Sequence, residues 1–136
     1  MMGLRESHGE YSSLCIIPSN EQAMITYPVR LFEAALRNFE RNAKTLIQAT
    51  GWTIDDIDLS IPHQASMGTI VRGSKKIGVP LTRVGITVDQ FGNMASAAVP
   101  FTLAHTNEEK KIGPGSKVLI AAFGSGLGIG FFTLQL

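Results

Sequence analysis

The sequence predicts an α/β layered domain with a mostly parallel sheet and one antiparallel pair at its end. Three observations carry this. Apolar runs of strand length alternate with stretches of helical periodicity, the longest such stretch (28–50) is closed by Gly51, and two apolar runs at the C-terminal end flank a glycine-rich loop.

Taken in order, Tyr11-Ser-Ser-Leu-Cys-Ile-Ile17 has the composition of a strand and stops at the turn formers Pro18-Ser19-Asn20. From Pro28 to Thr50, Leu31, Ala35, Leu36, Phe39, Ala43, Leu46 and Ile47 recur at helical spacing. Ile57 to Ile61 is a short buried strand ended by Pro62, and a helix from about Ser66 to Ile77 closes at Gly78-Val79-Pro80. Val84 to Val88 is a further strand. The Ala-rich run from Ala95 to Ala104 suits a closely packed helix, with Pro100 in its first turns. Gly113-Pro114-Gly115 is a turn, and Lys117–Phe123 and Ile129–Leu136 are two terminal strands joined as a hairpin.

Composition sets the bounds. The 136 residues, 44% of them hydrophobic, fit one compact domain over 1–136 that folds without staples. A formal net charge of +1 removes any general electrostatic case for nucleic acid. Cys15 is the only cysteine, so the expectation is a reduced, cytoplasmic protein with no internal disulfide and no Cys-rich metal site. The first ten residues lack the apolar core of a signal peptide, and no stretch has the roughly 18 apolar residues of a membrane span. His8 and His105 have no motif context and are expected at the surface.

Three segments carry chemistry. His63 follows an apolar strand at the carboxyl end of the sheet, where ligands gather in such folds, and imidazole suits proton transfer or neutral hydrogen-bond donation. Asn93 opens the Ala-rich helix 30 positions later; it can cap that helix, and its amide can also face a carbonyl oxygen that becomes negative during reaction. Phe123-Gly124-Ser125-Gly126-Leu127-Gly128, another 30 positions on, resembles a dinucleotide fingerprint but is followed by a strand rather than a helix, which rejects nucleotide binding. It is either a tight turn needing positive φ or a loop whose backbone N–H groups approach a substrate carbonyl.

Together, these segments and their separations resemble the C-terminal half of β-ketoacyl-acyl-carrier-protein synthase III, in the thiolase superfamily, from about Tyr27 to Leu136 and less closely through 9–20. The resemblance implies a thiolase-like half, a layered five-stranded mixed sheet with helices on both faces. It implies decarboxylative Claisen condensation, in which an acyl group on a cysteine is attacked by the carbanion left when malonyl-acyl-carrier protein loses CO₂. His63 and Asn93 correspond to the pair that stabilises the enolate, Phe123 to the aromatic packed by that histidine, and the Ser125 N–H, with Gly124 and Gly126 beside it, to part of the oxyanion hole. Arg72, Lys75 and Lys76 correspond to a basic helical face that meets an acidic carrier protein. No cofactor is implied beyond the CoA or carrier-protein thioesters of the substrates.

The family's nucleophilic cysteine lies in an N-terminal half that this chain does not contain, and Cys15, set inside an apolar strand, is expected to be a buried structural thiol. Ser66, Met94, Ser125 and Gly68 also depart from the family's common residues, which bears on the substrate. The expected partners are therefore the cysteine-bearing half, acyl carrier protein, acyl-CoA and a second copy of the chain. On this reading the chain is a truncated piece or one product of a split gene and does not condense substrates by itself. The alternative is a non-catalytic interaction or regulatory half of a heteromeric synthase.

Overall fold

The computed structural model describes residues 1–20, 22–110 and 112–136. The longest helix, α1 (Pro28–Ala49), starts with proline at a first-turn position, where a missing N–H costs nothing. It ends at Thr50, after which Gly51 takes a φ of +75°. The second helix, α2 (Met67–Ile77), is bounded as cleanly. Ser66 and Thr69 form a capping box at its start, and Gly78 adopts the left-handed conformation at its end.

The main sheet has four strands in the order β1 (Met2–Ser7), β6 (Gly128–Gln135), β5 (Lys117–Gly124), β4 (Leu59–Pro62). Only β4 and β5 run parallel; β5 with β6 and β6 with β1 are antiparallel. The sheet is mixed, as the resemblance implies, but has four strands rather than five, and its one parallel pair corrects the mostly parallel sheet expected from the alternation of elements. The fifth position is occupied by Val84, but only as a single parallel bridge to Ser60. Pro62, without an N–H, cuts the ladder short at that edge.

Further differences lie near the N-terminal end. β1 was not expected, because Met-Gly-Leu-Arg-Glu-Ser shows a weak alternation suited to an edge strand. Residues Gly9–Leu14 form a 3-10 segment, leaving only Cys15–Ile16 as strand β2, paired with β3 (Ile25–Thr26). His8 is not a free surface residue: Nε2 lies 3.1 Å from Glu6 and Nδ1 3.4 Å from Glu10. Glu6 in turn meets Arg41 of α1 at 3.2 Å, tying β1 to the helix beneath it.

Helices cover both faces of the sheet. On one, Leu119, Ala121, Ile129 and Phe131 pack against Phe39, Ala43 and Ile47 of α1 and Ile70 and Ile77 of α2. On the other, Leu59, Ile61 and Val118 pack against Val99 and Leu103 of α4 (Ala98–Lys110). Residues Val88–Phe91 form a short helix, α3, and Ala95–Ala97 a 3-10 turn leading into α4, so the segment 84–88 is a bridge and a helix start rather than a strand. Pro100 is the third residue of α4, where it breaks no internal hydrogen bond.

Candidate active site

β4, β5 and α3 all deliver residues to one place. A cavity of about 670 Å³ opens at the carboxyl ends of β4 and β5, between α1 and α2, and is lined by His63, Asn93, Phe123, Gly124 and Ser125 among others. This volume is in the range of small-molecule sites. Gly126 does not line it, and neither do Arg72, Lys75 or Lys76.

His63 is the first residue beyond β4. Its N–H donates to the Ala121 carbonyl at 2.7 Å, so β5 fixes its backbone. The imidazole lies tilted against the ring of Phe123, and burial holds its pKa below the ordinary value of 6.5. At neutral pH it is therefore an uncharged donor.

Asn93 follows Gly92, whose φ of +69° and ψ of −166° are open essentially only to glycine. The Asn93 Oδ1 accepts the N–H of Ala95 at 3.0 Å, and Ala95 itself has a φ of +51°. This bond closes a local turn through the amide oxygen rather than capping the helix, because the 3-10 segment before α4 starts from Met94 without a side-chain cap; the NH₂ takes no part in the turn. The expected helix cap is therefore corrected to a turn at the start of the segment that leads into α4.

The loop between β5 and β6 is a tight turn: Gly126 has a φ of +83° and Leu127 one of +32°. The Ser125 hydroxyl donates to the Cys15 carbonyl at 2.7 Å and anchors the loop to β2. Cys15 departs from the expectation of a buried thiol. It is partly exposed, lines the cavity and directs its Sγ at the Met24 thioether, 3.6 Å away.

The basic residues of α2 sit outside the cavity. The Arg72 guanidinium lies 5.7 Å from the centroid of the Phe32 ring on α1, while Lys75 and Lys76 are exposed in the last turn. Glu40 of α1, held below its ordinary pKa chiefly by its hydrogen bond to Lys44, also feels the Lys76 charge. The positive face is therefore partly offset by α1.

Gln64 has a role that its place in the sequence does not announce. It is fully buried directly behind His63, and its side chain makes bonds to Pro62, Gly85, Thr87 and Val88. The available signal was a proline within a buried strand end, which leaves a neighbour's carbonyl needing a donor. Among the described residues, no group of three or more His, Cys, Asp or Glu side chains is placed to hold a metal, and no helix is long and apolar enough to cross a membrane.

Known proteins agree with this architecture. Residues 47–136 match the family model described as 3-oxoacyl-[acyl-carrier-protein (ACP)] synthase III C terminal. The chain is 38% identical over 96 residues to a β-ketoacyl-[acyl-carrier-protein] synthase III of Nitratidesulfovibrio vulgaris, covering 71% of this chain and 29% of that protein. It is 32% identical over 136 residues to one of Coxiella burnetii, covering 96% and 43%. A crystal structure of 3-oxoacyl-[acyl-carrier-protein] synthase III from Aquifex aeolicus superposes with a TM-score of 0.92 at 25% identity, over 98% of this chain and 43% of that one. The chain thus spans less than half the length of these relatives. With the family model covering most of its residues and the thiolase-like α/β fold matching over nearly all of them, the chain belongs to the 3-oxoacyl-[acyl-carrier-protein] synthase III C-terminal family.

Proposed function

We propose that this chain supplies the enolate-stabilising part of a decarboxylative condensing enzyme, an acyltransferase of fatty acid or related biosynthesis. The observation that carries the reading is the meeting of two uncharged donors, the His63 imidazole and the Asn93 amide, in one cavity beside the Phe123 loop. When a malonyl thioester loses CO₂, the electrons of the broken C–C bond move onto the thioester oxygen. Neutral donors fixed in advance stabilise that charge without having been neutralised by it in the ground state. The enolate carbon then attacks an acyl thioester on a cysteine of the other half, whose sulfur leaves as thiolate. The Ser125 N–H, with Gly124 and Gly126 giving the loop its shape, serves the oxyanion of that second step. No cofactor takes part; CoA or carrier protein brings the acyl groups.

Exposed apolar side chains support a partner half and self-association. Ile17, Met24, Ile25, Tyr27 and Val29 are all exposed around the β2–β3 end of the cavity. Arg72, Lys75 and Lys76 are the docking residues for acyl carrier protein in this reading.

The test compares condensation by the pure chain with condensation after co-expression with a cysteine-bearing half. The pure chain is expected to be inactive and the pair active, with His63→Ala or Asn93→Ala lowering the rate of the pair by about a hundredfold or more. Condensation by the pure chain would overturn the reading. For docking, Lys75→Glu with Lys76→Glu should weaken carrier-protein binding to the pair, and unchanged binding at low salt would remove that assignment.

A further inference from the structure

Beside β4 the sheet needs a peptide group that the backbone does not provide. The Gly85 N–H donates to the Ser60 carbonyl at 2.8 Å, as a parallel neighbour should. One step further along a parallel ladder, the Gly85 carbonyl would take an N–H from residue 62, and the Thr87 N–H would go to the carbonyl of residue 62. Residue 62 is proline and has no N–H.

The side chain of Gln64 fills that gap. Its Nε2 donates to the Pro62 carbonyl at 2.7 Å and to the Gly85 carbonyl at 3.2 Å. Its Oε1 accepts the N–H groups of Thr87 at 2.9 Å and Val88 at 3.2 Å. Both amide protons and both lone-pair directions are thereby used in a site with no exposure to water. Such a group has one orientation, because any other leaves a buried donor or acceptor unpaired.

The network continues to α4. The Thr87 hydroxyl, 3.5 Å from Gln64 Oε1, lies 2.7 Å from the Thr102 hydroxyl, which in turn is 2.7 Å from the Ala98 carbonyl. Gln64 is adjacent to His63, while Thr87 and Ala98 flank the segment that holds Asn93. The chain of bonds links the end of β4, next to His63, to the start of α4, and both His63 and Asn93 line the cavity.

We propose that Gln64 is a positioning residue: its amide acts as a substitute peptide group that sets the end of β4, and so His63, against the segment that presents Asn93. This rests on reading His63 and Asn93 as a donor pair, but its evidence is geometric and does not need turnover. The isosteric Gln64→Glu has no donor once ionised, and its protonated form can again reach a carbonyl. Gln64→Met removes donor and acceptor at every pH.

The experiment is NMR of the chain itself, following the His63 ring, the Asn93 side-chain NH₂ and the amides of 85–88 across pH. In Gln64→Glu, the His63 and Asn93 signals should move together in one added titration absent from the parent chain, near their parent positions below it and displaced above it. In Gln64→Met both should be displaced throughout. Unmoved signals in folded variants, or a displacement spread evenly over the chain, would overturn the proposal. Should neither variant fold, the parent chain still decides: Thr87 and Val88 amides protected from hydrogen exchange as well as that of Gly85 would support Gln64 as their acceptor, and loop-like exchange would refute it. Loss of catalysis in His63→Ala, by contrast, bears only on the functional reading.

Discussion

The imidazole of His63 and the ring of Phe123 lie with centroids 6.3 Å apart and planes 59° from parallel, joining the ends of β4 and β5. Phe123 is one reason that His63 is shielded from water, and shielding lowers the histidine's pKa because the charged form loses hydration. Phe123→Ala should therefore move the His63 titration upward toward 6.5, read from its ring signals by NMR; a downward movement or none would separate the shift from this contact. The sign for stability follows. A histidine with a folded pKa below its unfolded value leaves stability at its full level above about pH 6.5 and diminishes it as pH falls through that value toward the folded pKa. His63→Gln should remove that part of the acid sensitivity in denaturation midpoints.

Phe39 is expected to be the costliest single truncation. It is 4% exposed, stacks on Phe123 at 5.8 Å and meets Phe131 at 5.1 Å, so it links α1 to both strands of the hairpin. Phe39→Ala should lose about 3–5 kcal/mol in chemical denaturation. A loss below about 1 kcal/mol would mean that the space closes readily around Gly73, whose added Cβ would stand 3.4 Å from the ring.

Ser66 starts α2 immediately after the segment carrying His63. It accepts the Thr69 N–H at 3.3 Å, and Thr69 returns a bond through its hydroxyl. Ser66→Ala should cost about 1 kcal/mol, and Ser66→Asn, which also caps, a fraction of that, measured as denaturation midpoints. Equal losses from both would show that the cap is not what stabilises this end.

Gly92 isolates backbone conformation from packing. A Cβ built there meets nothing within 4 Å, yet its φ of +69° with ψ of −166° excludes ordinary side chains. Gly92→Ala should cost about 1–3 kcal/mol and shift the Asn93 side-chain signals. Ala95→Gly, at a φ of +51°, should change stability by less than about 1 kcal/mol, because relief of strain and added chain entropy oppose one another.

Legibility in the sequence followed the strength of the periodic signals. α1 and the β5–β6 hairpin were readable because one has a long apolar stripe with proline and glycine at its ends and the other two apolar runs around a glycine turn. β1 was not, since an edge strand needs only a weak alternation and this one includes Arg5 and Glu6. The 84–88 segment has strand composition, but a lone bridge replaces a ladder where Pro62 cannot donate. His63, Asn93 and Phe123 were legible as motif residues and do share a cavity. Gln64 was not, because its role depends on a backbone group missing from a neighbour.

The sheet also implies an order of assembly. β5 and β6 are separated by three residues and can pair after closing a very short loop, and β4 must then find β5 across the whole of α2 and α4. β1 pairs Met2 with Thr133, near the opposite end of the chain, and therefore bears the largest closure entropy for an edge held on one side only. Growth from the hairpin outward makes β1 the last strand to dock and the first to fray. Pulsed hydrogen exchange during refolding would then protect β5 and β6 before β1, and simultaneous protection would place the N-terminal edge in the folding nucleus.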